Sequence, residues 1–125
     1  MITGIVTEDR EAILRIIMRD ARDREHSYDA VIDTGYTNTL TLPPDIINAL
    51  GLRWHRFGRA NLADGSESDF NVYRGIIVWD GHSMTIDVDE MDAEPLVGMS
   101  LMYGYELLMP ILDGATFTLR RLTNP

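Results

Sequence analysis

The sequence predicts a mostly β domain with one short helix, and two observations carry that expectation. Asp-Gly occurs three times in the 125 residues, at Asp64-Gly65, Asp80-Gly81 and Asp113-Gly114. Asp-Gly between apolar runs is a strong hairpin signal, because a type I′ turn needs positive φ at both central residues. The flanks agree. "FNVYRGIIVW" leads into Asp80 and "SMTIDV" leaves Gly81-His82, while "LLMPIL" precedes Asp113 and "ATFTLRRL" follows Gly114. Three hairpins are therefore expected in the second half of the chain.

Taken in order, the first segment sets two rules against each other. "EDREAILRIIMRDARDREHS", from Glu8 to Ser27, is rich in helix formers and i,i+4 charge pairs, which favour a helix on local propensity. As a strand it fits only in part, with Leu14, Ile16 and Met18 alternating against Ile13, Arg15, Ile17 and Arg19. Ala30, Val31 and Ile32 read as a buried strand that ends at Asp33-Thr34-Gly35, and "LTLP" as a second strand running into a helix. That helix is "PPDIINALGL": Pro43-Pro44 opens it, Asp45 stands in its first turn, and Gly51 stops it. Ile46, Ile47 and Leu50 fall on one face at helical spacing. After the hairpins, a short helical turn following Gly98 is the last non-β feature.

Composition bounds the rest. A chain of 125 residues is expected to be one domain, spanning 1–125. Hydrophobic content of 45% with 25% charged residues is ordinary for a soluble protein. No apolar stretch approaches the ~20 residues that cross a bilayer, and "MITGIVTEDREA" has no basic region followed by an apolar block. A cytoplasmic protein with no membrane partner is the expectation. With no cysteine, disulfides, thiolate nucleophiles and Cys-based zinc sites are excluded. A net charge of −9 argues against nucleic acid, which demands clustered cations. All 11 basic residues are arginine, so lysine Schiff bases and Walker-type phosphate loops are excluded as well.

The chemistry concentrates at Asp33-Thr34-Gly35. Alone, the triplet is also a good turn, with Asp bonding to the backbone and Gly supplying positive φ. An Asp-Thr/Ser-Gly appears by chance in roughly a few per cent of chains this long. Its setting says more. Asp33 emerges at the end of an apolar strand, where a carboxylate leaves water and becomes chemically useful. Some sixty residues later comes "PLVGMSL", apolar residues and a glycine in a strand context.

These segments together resemble the retropepsin-like aspartic proteases, in particular their small single-domain prokaryotic members. "VIDTGYTNTLTLP" is similar to the catalytic loop and following strand, "LADGS" to the flap hairpin, and "YRGIIVWDGHSMTIDV" to the long hairpin after it. "PLVGMSLMYGYEL" is similar to the second hydrophobic-hydrophobic-Gly element, and "GATFTLRRL" to the closing strand. The resemblance covers roughly residues 10 to 122, in order and spacing. It implies a closed antiparallel β-barrel-like fold with one short helix, and so turns the Glu8–Ser27 segment from helix to strand.

The resemblance also implies a reaction. Aspartic proteolysis uses two carboxylates that share one proton around a water, one as base and the other as acid. This chain has a single triplet, so the active form implied is a homodimer in which each subunit supplies one Asp33 at the two-fold axis. Thr34 would brace the two loops across the axis, and Gly35 would present a backbone N–H beside the carboxylates. Ala63, Asp64, Gly65 and Ser66 would form the flap tip over an extended peptide or protein substrate. No cofactor and no metal is implied. Three positions depart from the retroviral pattern: Tyr36 in place of a small residue, a polar flap tip "ADGSES", and Ser100 where many relatives have Asp.

Other constellations carry less. His26, His55 and His82 share no metal-ligand spacing, and His82 reads as a solvated turn residue. "GMSL" lacks the second glycine of a nucleophile elbow and reads as core strand. "DVDEMDAE", Asp87 to Glu94, lacks the glycine and twelfth-position glutamate of an EF-hand loop and reads as a solvated acidic strand end. Trp54 and Trp79 read as core or interface packing. Two functional readings stand: an aspartic endopeptidase, or a catalytically silent dimer of the same fold that binds peptides or serves assembly.

Overall fold

In the computed structural model, which describes residues 1–123, the chain opens with strand β1 (Ile2–Val6). The ambiguous segment then forms two strands, β2 (Ala12–Arg19) and β3 (Glu25–Ile32), paired antiparallel. The helix favoured by local propensity does not form. Ala12, Leu14, Ile16 and Met18 are all buried on one face of β2. Two-residue spacing puts them on one side of a strand but scatters them around a helix, and burial outweighs propensity differences of a few tenths of a kcal/mol per residue.

Asp20 closes the β2–β3 turn. Its buried carboxylate accepts the backbone N–H groups of Arg22 and Arg24, each at 2.9 Å, and Arg24 Nε at 3.0 Å. His26 Nε2 lies 2.8 Å from Oδ2, the oxygen that also accepts Arg24 Nε. The His26 contact first, then the Arg24 N–H, hold this carboxyl well below the usual carboxylate range. A depressed folded-state pKa stabilises the protein above the unfolded value, near 4, and the contribution disappears as pH falls below it. Asp20→Asn is therefore expected to lower Tm at neutral pH and to flatten the loss of Tm between about pH 4 and pH 2, read by circular dichroism melts. Parallel acid limbs for the two proteins would contradict this.

Strand β4 (Leu40–Leu42) is fully buried and leads into helix α1 (Pro44–Leu50), which Pro43 caps and Gly51 ends at φ 66°. Ile47 and Leu50 are buried and Ile46 packs against the core, as their spacing predicts. Next come β5 (Arg53–Asn61), β6 (Glu67–Trp79), β7 (His82–Glu90) and β8 (Leu96–Val97). Helix α2 (Met99–Met102) follows, then β9 (Tyr105–Leu108) and β10 (Thr116–Arg121). "GMSL" thus enters a short helix after its glycine, in agreement with the helical turn expected there and not with a core strand.

The three Asp-Gly sites behave differently. Asp80 and Gly81 both take positive φ, 51° and 82°, and make the two-residue turn between β6 and β7. At Asp64-Gly65 only the glycine does, and the turn spans Leu62 to Ser66, closed by Leu62 N–H to Ser66 O at 2.8 Å. Asp113-Gly114 is no tight hairpin. β9 ends at Leu108, because Pro110 has no N–H to give a ladder. β9 and β10 still pair antiparallel, with Leu108 opposite Thr118, so the expected hairpin is present with a long loop. The returning limb of that loop bonds to β1 through Gly114 N to Val6 O and Val6 N to Ala115 O, both 2.8 Å.

The strands form one sheet in the order β5-β6-β7-β4-β8-β3-β2-β1-β10-β9, and β2 pairs additionally with β6. The antiparallel expectation is corrected in two places: β3 with β8 and β4 with β7 are parallel. Both pairings join strands separated by long connections, as parallel neighbours require. The core gathers Leu40, Leu42, Ile47, Val88, Val97 and Phe117 with the buried face of β2. Trp79 belongs to it, whereas Trp54 is 51% exposed on the β5–β6 hairpin, edge-on to Phe57. Among the described residues, no helix is long and apolar enough to cross a membrane.

Candidate active site

Three strands assemble the site. β8 inserts between β3 and β4, pairing Ile32 with Val97 on one side and Leu40 with Val97 on the other. The Thr41 hydroxyl accepts the Leu96 N–H at 2.9 Å, and Asp33 N–H bonds to Val97 O at 2.9 Å, so the end of β3 is fastened where the triplet begins. Asp33 then turns the chain. Its Oδ1 accepts the Gly35 N–H at 2.9 Å and its carbonyl accepts the Tyr36 N–H at 3.2 Å. Asp33 stays half-buried, while Thr34 and Gly35 are exposed. The triplet is thus a turn that presents a carboxylate, so the two readings of it are compatible. Gly35, however, does not take the positive φ expected of it, and the turn is closed by the Asp33 side chain and carbonyl.

The segment after the triplet is held from the α2 side by backbone. Met99 N–H bonds to Tyr36 O at 2.8 Å, Ser100 N–H to Asn38 O at 3.1 Å and Gly98 N–H to Thr39 O at 3.0 Å. Ser100 Oγ donates to Thr37 O at 2.5 Å, which gives this departure from the family pattern a structural job. A Cβ on Gly98 would fall 2.6 Å from Tyr36 Cδ2 and 2.8 Å from Tyr36 O, so this close crossing requires glycine.

On the other side stands Asp89 of β7, which sequence reasoning placed in a solvated acidic strand end. It is 6% exposed. Tyr36 Oη donates to its Oδ2 at 2.5 Å and Asn38 Nδ2 to the same oxygen at 2.9 Å. Burial first, then the Asp89 carboxylate, pushes the Tyr36 phenol up. The neighbours of Asp89 are engaged too. Asp87 pairs with Arg74 at 2.7 Å and Arg56 at 3.1 Å, and Glu90 accepts from Asn71 at 3.1 Å. The segment from Asp87 to Glu90 is therefore partnered structure. Alternation alone could not reveal Asp89, because its burial depends on Tyr36, 53 positions away.

Three concavities touch the loop. The smallest, about 420 Å³, reaches Thr34 past Val31, Ile32 and Arg10. One of the two larger ones, about 580 Å³, lies between the loop and the β5–β6 hairpin, with Gly35, Tyr36, Asn38, Arg59, Phe70 and Asp89 among its walls. The hairpin contributes its stem, as far as Leu62. Ala63, Asp64, Gly65 and Ser66 form the tip but do not border this cleft; all four are exposed, with Asp64 Oδ1 accepting from Ser66 N and Oγ at 2.9 and 2.5 Å. Asp33, Thr34 and Gly35 thus form one loop, and Ala63, Asp64, Gly65 and Ser66 form the exposed tip of the β5–β6 hairpin. The other concavity, about 600 Å³, is mainly apolar and includes Thr34, Met99, Met102, Tyr103, Tyr105 and Leu107. It abuts β9, an edge of the sheet. Tyr103 is 88% exposed there.

The histidines lie apart: His26 on Asp20, His55 with its Nε2 3.0 Å from Arg74, and His82 exposed in the β6–β7 turn. No group of three metal-ligating side chains is assembled among the described residues.

No protein-family model matches the chain, and no curated protein matches it by sequence. Among solved structures, its fold is similar to that of a retropepsin-like aspartic protease from Rickettsia conorii. The TM-score is 0.58 over 94% of this chain and 87% of that one, at 15% sequence identity. At that identity the likeness establishes the fold: a mostly β chain with retropepsin-like architecture.

Proposed function

We propose that the chain is an aspartic endopeptidase acting as a homodimer, each subunit supplying one Asp33. The observation that carries the reading is the half-buried Asp33 carboxylate, presented by an Asp-Thr-Gly turn at the crossing of β3, β8 and β4. The retropepsin-like fold supports it. In the reaction, one Asp33 carboxylate takes a proton from water, which attacks the peptide carbonyl. The protonated partner carboxyl hydrogen-bonds the carbonyl oxygen, and a proton then passes to the leaving amine. No covalent intermediate and no cofactor take part.

One chain holds one such carboxylate, so the site is completed by a second copy. The apolar groove beside Thr34, with exposed Met99 and Tyr103 and the free edge of β9, is the face on which that copy fits. The cleft beneath the β5–β6 hairpin would take the extended substrate.

A second reading is a silent dimer of this fold that binds peptides or serves assembly, and the hairpin tip favours it. Ala63 to Ser66 do not border the cleft, and a polar tip makes a poor seal against water. Digestion of a peptide library with and without a statine-type transition-state mimic, alongside sedimentation analysis, separates the two. Mimic-sensitive cleavage by a species of twice the 14.2 kDa chain mass is expected. A dimer that binds peptides without cutting them would establish the silent module, and a monomer that never cuts would defeat both.

A further inference from the structure

Asp89 is the one buried carboxylate near the Asp33 loop among the described residues. Removing a carboxylate from water is costly unless donors replace the solvent. Here both donors, Tyr36 Oη and Asn38 Nδ2, converge on the same oxygen, Oδ2. Both belong to the segment that leaves Asp-Thr-Gly, one and three residues beyond Gly35. The opposite side of that segment is fixed by backbone bonds from Gly98, Met99 and Ser100. The Tyr36 ring crosses directly over Gly98, where even a methyl group would collide with it. Tyr36 therefore spans from α2 to β7 as a strut, and its hydroxyl is committed to the wall.

We infer that Asp89 is a positioning residue for Asp33, acting through Tyr36 and Asn38 to set the path of the chain after the triplet. That path determines where the Gly35 N–H stands, and the Gly35 N–H holds Asp33 Oδ1. Asp89 moves no proton in the reaction. Its contribution is angular: a carboxylate that must face its twin across a two-fold axis tolerates little rotation, and displacements of about 1 Å in such sites can cost about a hundred-fold in rate.

The effect on turnover rests on the proteolytic reading, whereas the effect on the loop does not, so the test has two arms. Asp89→Leu removes the acceptor and keeps the branched outline in a larger side chain, Asp89→Asn keeps an oxygen able to accept both donors, and Tyr36→Phe removes one donor. In the kinetic arm, Asp89→Leu and Tyr36→Phe are expected to lower kcat about a hundred-fold with KM changed less than about three-fold. The double variant should be no worse than Asp89→Leu, because the residues act as a unit, and Asp89→Asn should recover most of the rate. Additive losses, or a loss carried wholly by KM, overturn the inference.

In the second arm, amide hydrogen exchange is followed by NMR. Tyr36 and Met99 N–H should exchange at least about ten-fold faster in Asp89→Leu and in Tyr36→Phe, while Phe117 and Leu119 keep their protection. Unchanged exchange at Tyr36 and Met99 overturns the inference whether or not the protein cuts peptides. Should the wild-type protein cut nothing, the proteolytic reading fails on that result, and exchange alone decides the role of Asp89. Should Asp89→Leu fail to fold, Tyr36→Phe and Asp89→Asn carry both arms.

Discussion

On the proposed reading, Asp33→Asn is expected to leave the fold and the homodimer intact and to lower peptide cleavage by at least about a thousand-fold. The substitution is nearly isosteric. The asparagine Oδ1 can still accept the Gly35 N–H that Asp33 accepts at 2.9 Å, so the turn has no reason to open. What is lost is the exchangeable proton. In the proposed dimer, two amides in place of the paired carboxyls could neither take a proton from water nor return one to the leaving amine. Cleavage measured on a peptide pool, with Tm and sedimentation as controls, reads the result directly. Residual cleavage above about a tenth of wild type would remove Asp33 from the chemistry, and loss of the fold would make it a structural turn residue instead.

Gly98→Ala is expected to be the most damaging single methyl addition near the site. The φ and ψ of Gly98, −100° and 177°, suit any residue, so backbone strain plays no part. The cost is steric. The new Cβ would press on the carbonyls of Asn38 and Tyr36 as well as on the Tyr36 ring. Carbonyls held by Met99 and Ser100 N–H groups cannot swing aside without breaking those bonds. Overpacking of this kind costs about 3 kcal/mol, a large part of the stability of a small domain, and corresponds to a fall in Tm of roughly 10 °C. Gly65→Ala is the control. Nothing lies within 4 Å of its Cβ, and its φ of 85° alone penalises alanine, by about 1 kcal/mol. If the two variants melt together, the crossing of Gly98 over the Asp33 loop is looser than the structure has it.

How much of this was legible depended on how local its cause was. The α1 helix and the Asp80-Gly81 turn follow from caps, proline and positive φ within a few residues, and both stand where the sequence places them. The carboxylate turn at Asp33 is equally local. Strand β2 and the start of β3 are not, because the propensity of Glu8–Ser27 points to helix and only burial against the rest of the sheet decides otherwise, whereas Ala30 to Ile32 form the strand that the sequence predicts. Around Asp113-Gly114 the hairpin stands as expected, β9 pairing antiparallel with β10, but its turn is wide, because Pro110 interrupts the ladder and β1 captures the returning chain. Asp89 was hidden most completely. Its meaning lies in Tyr36 and Asn38, which no pattern within "DVDEMDAE" can indicate.

The two-residue strand β8 has a consequence for the life of the chain as it is made. Asp33 is translated more than sixty residues before Val97, yet the end of β3 has no neighbour on that side until Leu96 and Val97 slot between it and β4. Contacts that close such long loops form late and carry a large entropic toll. A ribosome-bound chain that has released only its first ninety or so residues therefore holds the triplet without the wedge that shapes it. The order of synthesis acts as a timer, and the carboxylate is set in place only after Leu96 and Val97 have emerged.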